Sequence, residues 1–303
     1  PVNEESCVNP ISALLGMKKV FPDVVTNAFI NSMPRRALTP EEKALPYSEY
    51  YFKDMAKIPR EDLDIVNRGP IDPSLALPIA ERSRLMEPGD LPAETGYCLM
   101  PDGSGFAATK VFMPDVTTEM IDWWFNWHPL VGLRYAIWCP VAHKSISALT
   151  PEAHLDSSGV DLHVRNIGKI HYPVEGFNLT GAQKIEIAFK SVRQMGLDET
   201  VFKSGSMSTY AAASVTNVFP RMPINIIFHA IREVPGGIEY RSRYWLTYMF
   251  DRKGNVVQSM FPRPKSLVLA FARNNCIHSL MEYNHLASIL PLLYREMEGK
   301  RSE

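Results

Sequence analysis

No run of apolar residues approaches the roughly 18 that a membrane helix needs, which excludes a helical membrane span. Charge of one sign is not in excess either. The 32 Lys and Arg face 33 Asp and Glu, so there is no electrostatic footprint for nucleic acid or an anionic membrane surface. Cysteine is scarce: Cys7, Cys98, Cys139 and Cys276 are the four present. They lie far apart and form no CxxC pair, which excludes a zinc ribbon and a thioredoxin-like redox motif and predicts buried, reduced thiols. The opening residues, Pro1 to Ser6, lack a basic segment followed by an apolar one, the pattern of a secretory signal. Internal repeats and low-complexity stretches are absent too. These absences predict a cytoplasmic protein whose partner is a small molecule or a second copy of itself in a homodimer.

What is there is enough apolar sequence, 46% of 303 residues, for one large core or one core plus a small accessory unit. Residues 1–90 are rich in proline and charge, with interruptions at Pro34, Pro40, Pro46, Pro59, Pro70, Pro73 and Pro78. Proline restricts itself and its predecessor. Short helices joined by loops are expected, for instance around Ser48 to Met55 and Arg60 to Val66. Such a segment would wrap the main domain, 91–303, or form a dimer contact.

From Thr95 onward, alternation of apolar and polar residues predicts half-buried antiparallel strands, as in Phe106–Met113 and Lys184–Lys190. Thr117 is positioned to cap a helix from Met120 to His128 whose three tryptophans, Trp123, Trp124 and Trp127, predict burial. Arg134 to Pro140 reads as an apolar strand. Ile226 to Tyr248 reads as a hairpin turning at Gly236-Gly237, and Asp251 to Asn255 as a second turn. Lys265 to about Glu298 reads as a long closing helix, with a break possible at Pro291. An antiparallel sheet wrapped around a long C-terminal helix is an α+β helix-grip architecture, Bet v 1-like or START-like, with a cavity between sheet and helix for a planar apolar ligand.

On the closing helix His278 and Glu282 stand four residues apart, on one face. They can close on a metal ion or form a solvent-facing pair; His285 falls close to the same face. His128, among tryptophans, reads as a neutral metal ligand or a hydrogen-bonded core residue. A symmetric turn about Gly236 and Gly237 sets Pro235 opposite Ile238 and His229 opposite Tyr244, sharing a face. A proton carrier and a phenolic donor would then point together into the cavity. Arg241 and Arg243 face the other way, toward packing or a surface pair.

Glu94–Cys98, Pro101–Phe106, Phe112–Pro114, Trp123–His128, Leu133–Tyr135, Ile137–Trp138, Glu239–Trp245, His278–Glu282 and Leu286–Pro291 occur in this order. They resemble the successive motifs of the 2,4-diacetylphloroglucinol hydrolase and phloretin hydrolase family over roughly residues 90 to 294. The resemblance implies a Zn2+ held by two histidines and two glutamates, which match His128, His278, Glu282 and, on the strand between them, Glu175. Glu152, His154, Asp156, Asp161 and His163 are further candidates in a stretch longer than the family's, and His143 is expected to be supporting or structural. The resemblance also maps substrate-binding and catalytic roles onto His229 and Tyr244. It implies a hydrolase acting on carbon–carbon bonds in ketonic substances, with an acylphloroglucinol-like aryl ketone as substrate. Zinc would make hydroxide available near neutral pH and stabilise the negative oxygen that forms. Two rivals remain: a non-haem iron enzyme on the same donors, and a metal-free ligand-binding, cyclase or isomerase domain.

Overall fold

The computed structural model describes residues 21–155, 164–176, 182–200, 202, 206–260 and 263–300. Eleven strands and seven α-helices fall among them. The strands are β1 (Gly96–Leu99), β2 (Gly105–Pro114), β3 (His143–Ser145), β4 (Ile170–His171), β5 (Val174–Glu175), β6 (Gln183–Phe189), β7 (Thr209–Asn217), β8 (Met222–Val234), β9 (Gly237–Leu246), β10 (Tyr248–Phe250) and β11 (Val256–Gln258). The helices are α1 (Asn27–Ser32), α2 (Pro40–Lys43), α3 (Arg60–Arg68), α4 (Thr118–Trp127), α5 (Gly132–Ala136), α6 (Glu152–Leu155) and α7 (Lys265–Met297). A nine-stranded antiparallel sheet runs β1-β2-β9-β8-β7-β6-β5-β3, with β4 beside β6, and β10 and β11 pair separately. The class is α+β, a large antiparallel sheet packed against a long C-terminal helix.

The β8–β9 hairpin turns at Pro235-Gly236, because Val234 pairs with Gly237. Proline's fixed φ suits the first central position of a turn, and Gly236 supplies the positive φ, 85°, at the second. Gly237 belongs to the strand, where a Cβ would collide with the carbonyl oxygen of Met113. The register is therefore two residues from the symmetric expectation: His229 pairs with Ser242, and Tyr244 with Ile227. An even shift keeps every side chain on its expected face, so His229 and Tyr244 become diagonal neighbours with ring centroids 5.8 Å apart.

Two other expectations are corrected. Arg134 to Pro140 is not a strand; it begins as α5, and Arg134 donates to the carbonyl of Trp127 and lies 4.4 Å over that indole. A short apolar run buried on all sides has no period to tell helix from strand. Helix α7 continues unbroken through Pro291. Ile289, Leu290, Leu293 and Met297 on that stretch are all core residues, and their packing outweighs one missing backbone donor.

The sheet has two covered faces. On the inner face lie α7, α4 and the largest core cluster, which also takes in Phe21, Tyr47, Tyr50 and Val66 from the early segment. That segment grips α7: Arg273 donates to the carbonyls of Pro22 and Asp23 at 2.7 and 3.0 Å, and Tyr50 to Glu296 at 2.8 Å. The outer face carries a second cluster in which Leu77, Ile79 and Leu85 pack on Phe228 and Trp245, with Trp245 Nε1 donating to the Leu77 carbonyl at 2.8 Å. The proline-rich segment thus wraps the sheet on both sides.

Candidate active site and metal centre

Alternation along each strand decides what faces the space between sheet and α7. Odd-numbered residues of β6, β7 and β8, such as Ile187, Ala213 and Ile227, line it, and the register to β9 adds the even-numbered Tyr244. Along α7 the lining residues Phe271, Asn274, His278, Glu282 and their neighbours recur at helical spacing, forming one face. Between them is a cavity of about 210 Å³, largely apolar along β6 and β7 and polar along the helix.

Metal-ligating atoms converge at one end. His143 Nε2 lies 3.2 Å from His278 Nε2 and 3.4 Å from Glu282 Oε2, and His278 Nε2 is 3.9 Å from the same oxygen. Cys139 Sγ joins His143 and His278 in a group whose ligand atoms all lie within 4.8 Å of one another. Glu175 is the strand partner of His143 across β3 and β5, and its carboxylate lines the cavity. Tyr135 ties the parts together. Its hydroxyl donates to Glu175, its ring stacks on His143 at 3.9 Å and 4°, and its carbonyl accepts from His143 Nδ1 at 3.2 Å. A carbonyl only accepts, so the proton of His143 is on Nδ1 and the Nε2 lone pair points at His278 and Glu282. Trp138 Nε1 fixes the backbone there by donating to the Glu282 carbonyl at 3.1 Å.

Burial dominates the electrostatics. It pushes Glu282 well above the usual carboxyl range, with Glu175 adding repulsion. It raises Glu175 to about 7, against the opposing hydrogen bond from Tyr135. Burial, then the neighbouring His278, holds His143 far below the ordinary imidazole range, and burial lowers His278 to about 4. Burial and the two glutamates raise the Cys139 thiol. Neutral imidazoles, a buried thiol and two carboxyl groups, without a Lys or Arg among the described lining residues, form a donor set that suits a divalent cation. Such a cation would supply the missing positive charge.

His128, which the resemblance names as a ligand, lies in the cavity wall. Its Nδ1 donates to the Trp124 carbonyl at 2.7 Å, its ring stacks on Trp124, and burial lowers it to about 3. Like Glu175 and Glu282, it is outside the group of ligand atoms that Cys139, His143 and His278 form. His229 and Tyr244 do face the cavity together. His229 Nδ1 meets Ser242 Oγ at 2.8 Å and its Nε2 meets the Tyr283 hydroxyl at 3.2 Å; Tyr244 donates to Ser279 at 3.0 Å. Burial holds His229 at about 3, so the ring is neutral near pH 7.

His285 instead accepts from the Ala56 backbone at 3.2 Å. Glu152 is exposed at the start of α6, and His154 meets His171, Nε2 to Nε2, at 3.2 Å. Asp156, Asp161, His163 and Cys7 lie outside the described residues; Cys98, Cys139 and Cys276 are buried and free. Arg241 and Arg243 pair on the outer face with Glu94 at 2.6 and 2.7 Å.

Sequence reasoning gave His143 a supporting or structural role, and the structure places its Nε2 beside His278 and Glu282; it passed over Tyr135, Cys139 and Tyr283 as site residues. For Tyr283 a signal existed, since it follows Glu282 on α7 and lies four residues after Ser279. His143 had none, because its approach to Glu175 depends on a two-strand pairing too short to leave a pattern.

Residues 77–295 match the family described as the DAPG hydrolase PhiG domain. The chain is 31% identical over 258 residues to a phloretin hydrolase of Eubacterium ramulus, covering 84% of this chain and 92% of that protein. It is 28% identical over 269 residues to a 2,4-diacetylphloroglucinol hydrolase of a Pseudomonas species, covering 83% and 88%, and equally identical to one from Pseudomonas protegens. A match over most of the chain, spanning the sheet, the cavity and α7 together, makes this protein a member of the DAPG hydrolase family of hydrolytic enzymes.

Proposed function

We propose that the chain hydrolyses the carbon–carbon bond between a polyhydroxylated aromatic ring and an acyl ketone, using a Zn2+ held by His143, His278, Glu282 and Glu175. The observation that carries this reading is the convergence of two neutral imidazoles and the Glu282 carboxyl at the end of a cavity large enough for an aromatic ring, with Glu175 lining the same cavity and repelling Glu282. On this reading His143 takes the position that the resemblance gave to His128, and His128 is a hydrogen-bonding wall residue. The sheet around α7 is a helix grip in the Bet v 1-like sense, with the ligand between sheet and helix.

When bound, zinc supplies hydroxide near neutral pH and stabilises negative charge on the ketone oxygen. The chain's own residues do the rest. Tyr135 orients Glu175 through its hydroxyl and His143 through its carbonyl, which keeps the His143 Nε2 lone pair facing inward. Tyr244 and His229 hold the ring hydroxyls, Tyr244 exchanging its bond to Ser279 for one to a substrate oxygen. One water is consumed: its oxygen ends in a carboxylic acid, and a proton ends on the ring carbon that the acyl group leaves. His229, in hydrogen-bond reach of Tyr283, carries that proton.

Metal analysis of the purified protein, with product identification after incubation with acylphloroglucinols, tests the proposal. About one zinc per chain and a free carboxylic acid beside the deacylated phenol are expected. Full activity without metal, or a requirement for oxygen, would sink it.

A further inference from the structure

The end of the cavity away from His229 holds a polar group that neither the metal centre nor the ring-holding residues use. Asn225 on β8 and Asn274 and Asn275 on α7 all line it, with Asn225 only 3% exposed and Asn274 7%. The orientation of the carboxamides follows from their bonds. Asn275 Nδ2 donates to the Phe271 carbonyl at 2.9 Å, so its Oδ1 accepts the longer 3.5 Å bond from Asn225 Nδ2. Asn225 Oδ1 is then left buried with no hydrogen-bond partner among the described residues. A buried acceptor without a donor is costly and calls for a partner. Apolar Ile185, Val215 and Ile227 surround the approach to it.

Two rulers place this group relative to the chemistry. Strand β8 and helix α7 touch at Asn225–Asn275 and again at His229–Tyr283. The first interval spans four strand residues, about 13 Å; the second spans eight helical residues, about 12 Å. The two elements therefore run side by side across the cavity. His278 and Glu282 fall between the two contacts, so a ring held at His229 and Tyr244 and a ketone at His278 direct the acyl arm toward Asn225. Along α7 that end is roughly one helical turn, about 6 Å, beyond His278.

Resting on the ketone-hydrolase reading above, we propose that Asn225, flanked by Asn274 and Asn275, is a second hydrogen-bonding subsite that accepts a hydroxyl at the far end of the substrate's acyl arm. The preferred substrates are then aryl ketones whose acyl arm ends in a hydroxyl-bearing group, such as a hydroxyphenylpropanoyl ketone, rather than acetyl ketones. A site that leaves a buried polar group unpaired when the hydroxyl is missing discriminates far better than an apolar pocket does.

Three ketones on the same trihydroxylated ring test this: acetyl, 3-phenylpropanoyl and 3-(4-hydroxyphenyl)propanoyl. Both kcat/KM and Kd are measured with the zinc-loaded protein, the latter from quenching of tryptophan fluorescence, since Trp138 lines the cavity. The hydroxylated arm should be favoured over its deoxy analogue by about tenfold or more. Asn225→Leu should bring that ratio to within about twofold of one, and Asn274→Leu should reduce it less. Equal values for the two arms in the unmodified protein, or a ratio that survives Asn225→Leu, would overturn the subsite. If no ketone is turned over, the hydrolase reading fails, while the ratio of Kd values still decides the subsite.

Discussion

On the outer face of the sheet, Glu94 sits between Arg241 and Arg243, both essentially buried. On the inner face, Glu175 and Glu282 share a cavity whose described lining residues include no Lys or Arg. Burial acts on all three carboxyls in the same direction. At Glu94 the two guanidiniums outweigh it and hold the group at about 2, whereas at Glu175 and Glu282 nothing opposes it strongly and both are raised. The same strand, β9, serves both faces: Arg241 and Arg243 point outward, Tyr244 inward. The outer network is balanced and holds the wrapping segment to the sheet. The inner one is unbalanced without a cation, the pattern expected where folding stability is traded for a binding site.

The largest expected effect separates the two faces by the sign of a stability change. Glu94→Gln leaves two buried guanidiniums without their carboxylate and should cost about 3–5 kcal/mol. Glu282→Gln removes an uncompensated carboxyl and should leave the metal-free protein as stable as before, or more so. The pH dependence sharpens this. Glu94 has a folded value of about 2 against 4.5 for a free glutamate. Its contribution is therefore complete above about pH 4.5 and is lost as pH falls through 2. Urea unfolding at pH 7 and pH 3 should find the gap between wild type and Glu94→Gln narrower at pH 3. A gap that widens on acidification would contradict the assignment.

A smaller but more discriminating effect lies within the inner face. His278→Ala, His143→Ala and Glu175→Ala should each weaken zinc binding by more than about 100-fold, beyond what the loss of a supporting residue costs. His128→Ala and Cys139→Ser should keep the metal. Competition with a chromogenic chelator measures all five. Retention in His143→Ala together with loss in His128→Ala would restore the ligand set that the resemblance implied, and loss in Cys139→Ser would bring the thiol into the site in place of Glu175.

The contrast also explains what could be read in advance. Strand alternation on β2, β6, β8 and β9 and the length of α7 are written in single stretches of sequence, so those strands and the closing helix were legible. So was the His278–Glu282 pair, because four residues is one helical turn. Register was not, since Pro235-Gly236 and Gly236-Gly237 are both acceptable turns until the packing of Gly237 on Met113 decides between them. Nor was the choice between His128 and His143. Both follow apolar segments, and only the pairing of β3 with β5, distant in sequence, brings His143 beside Glu175. The segment Arg134 to Pro140, buried on every side, carried no period at all.

The smallest expected effect concerns the diagonal pair on the hairpin. His229 and Tyr244 lie on one face with ring centroids 5.8 Å apart; His229 bonds to Ser242 and Tyr283, and Tyr244 to Ser279 and also to Ser242. Their direct contact is edge to face. If both hold the ring in the transition state, the substrate couples them. Tyr244→Phe should slow kcat/KM by about tenfold, in line with the loss of one hydrogen bond in the transition state, with zinc content and thermal melting near normal. His229→Ala should slow it further. The double variant should then lose less than the sum of the two single losses in free energy, since groups acting on one transition state behave as a unit. The same cycle measured on urea stability should come close to additive, because the direct contact between the rings is weak. Additive losses in turnover, or a coupling as large in stability as in turnover, would mean that the pair is packing on the inner face rather than holding substrate.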